Sequence, residues 1–349
     1  MTTSPPTRLN INFVLNGPPD IRRYVLFLLL LSAESDECSF LSRQSEQYVY
    51  LRSVFDHTEL LPPTIETSRV HRVLDVGAGT GVWALDFTDL PAVRPRLAPN
   101  STNPLEIYIC DVLISRFPPS EILHPLGIRS FQQDVTQPFP NALHGTFDLV
   151  HMSSMAFTLN ENQWQLALRH VCDVLKPGGY LILVELDPIS YTPASPPPPD
   201  GRPHDVSTSM MGGSALSKIN CVLTGMALKS RFYVDLSYRF PSLLQAAGLQ
   251  PVAKERAICP YGTLCNTYTG LRGTPLHAMR NRSTESLYGL LDSLSRVLMQ
   301  RSWLEVPLGV HIQTEDQRRA LLNELRHAVT YGVLIIASEW VVQRPIRHA

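Results

Sequence analysis

The chain has 349 residues, 44% of them hydrophobic and 17% charged, enough to bury a substantial core and more than one typical domain's worth of chain. Its 30 basic and 31 acidic residues leave a formal net charge of −1, with no basic run or Arg-rich strip, which argues against a nucleic-acid substrate. Cys38, Cys110, Cys172, Cys221, Cys259 and Cys265 are scattered without metal-ligand spacing, so no metal is expected and a reduced, cytosolic setting fits.

From the N-terminus, apolar spacing predicts helices over Asp20–Ala33 and Ser42–Phe55, so residues 1–60 read as a helical cap or a dimerisation segment. The run Val25–Leu31 is far shorter than the ~20 apolar residues of a spanning helix. A secretory leader would begin basic, whereas Arg22 and Arg23 follow a long polar lead, so neither membrane nor export is expected.

The most telling stretch is Val73-Leu-Asp-Val-Gly-Ala-Gly-Thr-Gly81, an apolar strand running into three alternate glycines. Asp75, Gly77, Gly79 and Gly81 read D-x-G-x-G-x-G, with Ala78 between them. Such a strand-to-helix turn lets a nucleotide-like ligand touch bare backbone, where a Cβ would intrude. A dinucleotide fingerprint, G-x-G-x-x-G, is excluded because its last position is Val82 here. Next, Leu105–Asp111 is a β-rich run ending in an acid, followed by Val112; a carboxylate at that strand end can accept from two ribose hydroxyls. Ile128–Asp134 repeats the pattern, followed by Val135, and Phe147-Asp-Leu-Val-His151 is a buried-strand run. Trp164, Leu168, Val171 and Leu175 recur at helical spacing, Lys176-Pro-Gly-Gly179 stops that helix, and Tyr180–Glu185 is a fifth strand.

This alternation predicts a doubly wound α/β core over 61–190. The ligand crevice lies at the carboxyl ends of its strands. Residues 191–235 read as a Pro-rich loop, Pro193–Pro199, and a cap helix carrying Leu216, Ile219, Leu223 and Met226. Residues 236–349 read as C-terminal strands with an inserted helical lid. Phe240–Gly248 is predicted helical and Gln250–Ile258 extended. Leu287, Leu291, Leu294 and Leu298 form one lid stripe, and Leu322, Leu325 and Val329 another. Val333–Val342 closes the sheet as an antiparallel edge strand.

The glycine motif resembles motif I of the class I S-adenosylmethionine (SAM) methyltransferases, and Leu175-Lys-Pro-Gly-Gly179 resembles another of their hallmarks. With Trp83-Ala-Leu-Asp-Phe87, Phe147–His151, Phe240–Gly248 and the turn Pro260-Tyr-Gly262, the chain from about Ser45 onward resembles the LaeA-like group of fungal methyltransferases. The resemblance implies a Rossmann-like fold with a seven-stranded, mostly parallel sheet and an antiparallel last strand. It implies SAM, with S-adenosylhomocysteine as product, against Asp75, Gly77, Ala78, Gly79, Gly81, Asp111, Val112, Asp134, Val135 and His151. The group usually has a basic residue shortly after the motif IV histidine, whereas Met152-Ser-Ser follows here.

Methyl transfer needs an in-line nucleophile more than it needs a base. Should the acceptor be an alcohol, His151 is the first candidate for general base and Glu185 the second; His277 and His311, in the covering region, are further histidines that can approach a substrate. Tyr233, Tyr238, Tyr261 and Tyr268 with the cap leucines suit a medium-sized apolar small molecule or simply pack the cap. The expected function is O-methylation of a small, largely apolar metabolite. Two alternatives stay open: the same fold catalysing dehydration or pericyclic ring closure with SAM bound, and a non-catalytic regulatory partner. A homodimer through the N-terminal helices is a further expectation.

Overall fold

The computed structural model describes residues 36–57, 60–300, 310 and 312–346, with side chains from residue 45 onward. The predicted helix over Asp20–Ala33, the Val25–Leu31 run, Cys38 and His311 lie outside these residues or their described side chains. Among the described residues no helix is long and apolar enough to cross a membrane.

Seven strands make one sheet: β1 Arg72–Val76, β2 Glu106–Asp111, β3 Ile128–Gln132, β4 Phe147–Ser153, β5 Leu175–Tyr191, β6 Gln250–Pro260 and β7 Leu334–Gln343. Their order is β3-β2-β1-β4-β5-β7-β6. β1 to β5 pair in parallel, and β7 runs antiparallel to both β5 and β6. The Rossmann-like fold expected from the motifs is therefore present. One detail is corrected: β7 is antiparallel as expected but interior, and β6 forms the edge. The reason is composition. β7 carries apolar residues on both sides of Ser338-Glu339 and is buried at nine of its ten positions, as a strand covered on both faces should be. β6 carries Lys254, Glu255 and Arg256 with Pro251 and is largely exposed in its first half, which suits an edge.

The longer helices are α1 Asp36–Phe55, α2 Val82–Thr88, α3 Glu161–Val174, α4 Ala215–Lys229, α5 Leu236–Ala246, α6 Arg280–Gln300 and α7 Glu315–Tyr331. α1 and α5 start about a turn or more earlier than Ser42 and Phe240. α3 and α7 begin with capping boxes, Asn160 with Gln163 and Thr314 with Gln317, each satisfying otherwise orphaned amide donors.

α3 and α5 cover one face of the sheet, where Phe240 meets Trp164 and Trp340 edge-on at 5.4 and 6.0 Å between ring centroids. α2 covers the other, packing Trp83 and Phe87 on Val73, Ile107, Leu149 and Ile182. A third core joins α1, α4, α6 and α7 to β6 and the start of β7. The two leucine stripes foreseen in the lid are its interior. Each such leucine contributes roughly 1.5–3 kcal/mol on burial.

α1 lies over the glycine turn. Ser45 Oγ is 3.1 Å from Thr80 Oγ1, Tyr48 Oη donates to Asp86 at 2.6 Å, and Arg52 pairs with the same carboxylate. The Pro-rich loop is held to β6, where Arg256 donates to the Pro198 carbonyl at 2.6 Å and Lys254 pairs with Asp200.

Candidate functional site

Strand order reverses between β1 and β4, so their carboxyl ends open a crevice. There Asp75 and His151 are register partners, and their side chains meet, His151 Nδ1 to Asp75 Oδ1 at 2.8 Å, both buried. Trp83 stacks on the His151 ring at 4.1 Å between centroids, nearly parallel at 3°. With Nδ1 engaged by Asp75, Nε2 is the ring nitrogen left for an acceptor.

The glycine turn that follows β1 needs its glycines. Gly77 has φ +66°, and a Cβ there would stand 2.9 Å from Met155 Sδ. Gly81, at φ +69°, is the N-cap of α2. Asp111, ending β2, accepts from Gly79 N and Leu113 N, both at 2.9 Å. It ties the turn to the second strand and keeps a lone pair on each oxygen for hydroxyl donors. Asp134 accepts the amide and hydroxyl of Thr136 at 2.8 and 2.7 Å.

Most of these groups line one open cleft. Of the residues expected to hold a cofactor, Asp75, Gly77, Ala78, Gly79, Asp111, Val112, Asp134, Val135 and His151 line it, whereas Gly81 does not. A Cβ on Gly81 would meet Pro118 at 3.3 Å. Tyr48, Trp83, Ser154 and Thr158 also line the cleft.

The chemistry of the cleft suits a SAM-like donor. Asp75 Oδ2 is buried and finds no hydrogen-bond partner among the described residues, and a buried carboxylate oxygen left unpaired is costly. Burial pushes the Asp75 carboxyl up, and His151 opposes that shift. A ligand ammonium or hydroxyl at Oδ2 would relieve the cost. The bare glycine backbone and the two-sided Asp111 carboxylate complete a set that fits such a donor.

Two further cavities adjoin this cleft through Ser154, which lines all three. One, of about 570 Å³, lies between α1 and the sheet and includes Tyr48, Trp83, His151 and Glu339. At its floor Glu339 faces Glu255 across β6 and β7. That like-charge pair is bridged by His57, 2.7 Å from Glu339, with Arg272 2.7 Å from Glu255. The other cavity, of about 1320 Å³, lies under the lid helices. Leu223, Met226, Tyr261, Leu287, Leu290, Leu294 and Val297 make it largely apolar, and Thr158, Glu185 and Asp187 supply polar groups.

Glu185 thus belongs to the lid cavity and not to the crevice of Asp75. Its Oε1 and Oε2 accept from Met155 N at 2.7 Å and Ala156 N at 3.0 Å, while burial pushes its carboxyl up to about 8. Of the tyrosines named from the sequence, Tyr261 lines the lid cavity and Tyr238 is exposed. His277 is exposed on the lid and lines none of these cavities.

A family profile described as "Methyltransferase domain" matches residues 43–217, half of the chain. The chain belongs to this family. Methyltransferase pytC of Aspergillus terreus is 26% identical over 292 residues, 84% of this chain and 78% of that protein. Methyltransferase grgD of a Penicillium species is 29% identical over 153 residues, 43% of this chain and 50% of that protein. The secondary metabolism regulator laeA of Gibberella zeae is 26% identical over 197 residues, 55% of this chain and 54% of that protein. The chain thus spans about half the length of two of these relatives. The LaeA-like resemblance seen in the motifs is matched by these relatives, and the chain carries a methyltransferase domain over residues 43–217.

Trp83, Tyr48 and Ser154 are among the cleft residues that sequence reasoning missed. Trp83 was visible only as part of a motif and not as the ring that covers His151. Tyr48 arrives from a helix more than two dozen residues upstream of the glycine turn. Ser154 has φ +60°, a left-handed backbone that few non-glycine residues adopt. The polar pair Ser153-Ser154 after Met152 was its one sequence signal.

Proposed function

We propose that this methyltransferase holds SAM in the Asp75–Asp111 cleft and methylates an oxygen of a medium-sized, largely apolar metabolite seated in the lid cavity. The observation that carries the reading is the junction of the two spaces. A cleft carrying Asp75, Asp111 and Asp134 meets an apolar cavity at Ser154 and Thr158, and one Asp75 oxygen is without a hydrogen-bond partner among the described residues. Asp75 would take the donor's ammonium or hydroxyl groups, Asp111 its ribose hydroxyls, and Asp134 with Val135 its base. SAM supplies an activated methyl group when bound; the chain's part is to orient the acceptor at the junction, which in well-aligned cases lowers a barrier by roughly 7–11 kcal/mol.

Support for a metabolite acceptor comes from the apolar lining and from relatives named as methyltransferases or as a regulator of secondary metabolism. The test is calorimetric titration with SAM and with S-adenosylhomocysteine, using Asp111→Ala as control, followed by mass analysis of products from metabolite extracts. Binding of both ligands, weakened in the variant, and a product heavier by one methyl group support the reading. An isomerised or dehydrated product, or a stable complex with another protein and no turnover, would overturn it.

A further inference from the structure

The lid cavity contains two carboxyl groups in contrasting settings. Glu185 and Asp187 sit two residues apart on β5, both buried and both lining the cavity. Pairing of β5 with β7 breaks between Leu186 and Ser190, and a bulge of this kind re-aims side chains. The lid pins it: Thr224 Oγ1 donates to the Pro188 carbonyl at 2.8 Å, and Ser190 N donates to Asn220 Oδ1 at 2.8 Å.

Glu185 is met by backbone amides alone, and burial keeps it protonated up to a pH of about 8. Asp187 is met differently. Ser237 N, in the first turn of α5, donates to its Oδ1 at 3.0 Å, and Ser237 Oγ donates to Oδ2. His204 Nε2 lies 2.8 Å from the same Oδ2, and His204 Nδ1 lies 2.6 Å from the hydroxyl of Tyr191. The Asp187 and His204 side chains are almost fully buried, whereas Tyr191 is partly exposed. A continuous row of exchangeable groups therefore leads from the cavity wall at Asp187 through His204 to Tyr191 near the surface. A structural anchor for α5 would need Ser237 and Asp187 but not an imidazole bridging to a phenol.

We propose that Asp187, backed by His204 and Tyr191, accepts the proton that an acceptor hydroxyl loses as it is methylated. The proposal rests on the acceptor occupying the lid cavity. The oxygen–hydrogen bond breaks as an oxygen–methyl bond forms with the donor's methyl group. The sulfur keeps the electron pair of the bond it loses, and the proton passes to Asp187. His204 Nε2–H donates to the Asp187 carboxylate and Tyr191 O–H donates to His204 Nδ1, so the two residues orient the base, and the proton leaves it for water as the product departs. Paired carboxyl groups in unlike environments are a recurrent way to separate acid and base roles. Here Asp187 is the base, and Glu185 stays neutral and holds the Ser154–Ala156 turn. His204 and Tyr191 are positioning residues.

The experiment compares two probes that fill an apolar cavity, 2-naphthol and 2-naphthalenethiol, with SAM and the full chain. A thiol ionises readily and needs no base, whereas the naphthol does. Asp187→Asn is expected to slow naphthol methylation about 100-fold or more and thiol methylation by no more than about threefold. His204→Gly should lose naphthol turnover and regain it when imidazole is added to the medium. Equal losses on both probes, no loss on naphthol, or no imidazole rescue would overturn the proposal. If SAM-loaded wild type does not bind 2-naphthol by calorimetry, the cavity reading fails first and takes the proposal with it. SAM affinity measured on each variant separates either failure from misfolding.

Discussion

Asp75 and His151, the last acid of β1 and the central histidine of β4, lock together at 2.8 Å while the second oxygen of Asp75 is buried with no hydrogen-bond partner among the described residues. One carboxylate therefore has two tasks, orienting the imidazole and receiving a ligand donor. Asp75→Asn keeps the volume but replaces one acceptor oxygen with a donor. SAM affinity is expected to fall about 10- to 100-fold, the range for a lost hydrogen bond to a charged group. Calorimetry with SAM on a variant of unchanged melting temperature checks this; wild-type affinity would mean that Oδ2 does not touch the donor.

Gly77 shows why the turn cannot carry a side chain. Its positive φ and the 2.9 Å approach of Met155 Sδ leave a Cβ both strained and crowded. Gly77→Ala should cost about 1–2 kcal/mol for the left-handed backbone and weaken SAM binding further by pushing Met155 into the cleft. Pairing it with Met155→Ala should recover binding but not the backbone cost. Thermal melts and SAM titrations of the single and double variants read the two effects separately. A double variant as weak in binding as the single one would show that Met155 is not the obstruction.

Glu185 predicts a pH signature of stability. Its carboxyl rises from an ordinary 4.5 to about 8 because burial disfavours the charge, even though two amides favour it. A carboxyl raised on folding binds its proton more tightly in the native state. Its contribution is full below about 4.5 and is lost as pH rises through about 8. Wild type should therefore lose stability across that window, and Glu185→Gln should lack this component. The variant has its own cost, about 1–3 kcal/mol, because an amide nitrogen must face a backbone donor. The gap between the two proteins should narrow as pH is raised, and chemical denaturation between pH 5 and pH 9 measures it. A gap independent of pH would show that Glu185 is not protonated in the native state.

The core of the site was legible because it is local. Asp75 with its glycines, Asp111 and Asp134 each stand at or just beyond the end of an apolar strand run, and periodicity alone puts such ends together. The partner of Asp75 was not legible, since the His151 bond depends on β4 pairing with β1, a contact 76 residues apart in sequence. The interior place of β7 was written in its burial-ready composition, yet strand order is a long-range property and edge placement was misjudged. His204 and Asp187 escaped notice for a similar reason. The histidine comes from the end of a Pro-rich loop that composition marks as exposed, and the structure turns it inward onto a bulge that no spacing rule announces.

The division between cleft and lid cavity gives the last prediction. Leu290 on α6 is partly buried and lines only the lid cavity among the three spaces. Leu290→Trp adds bulk there at a cost of about 1–3 kcal/mol if the space is tight, and less where the cavity takes it up. SAM binding should stay within about twofold of wild type, whereas methylation of 2-naphthol should fall at least about tenfold, because misplacing an acceptor by even an ångström forfeits much of the alignment. An effect on SAM binding with acceptor turnover preserved would place the acceptor elsewhere, and the smaller cavity beside His151 would then be the space to probe, with Leu51→Trp on α1 as the matching variant.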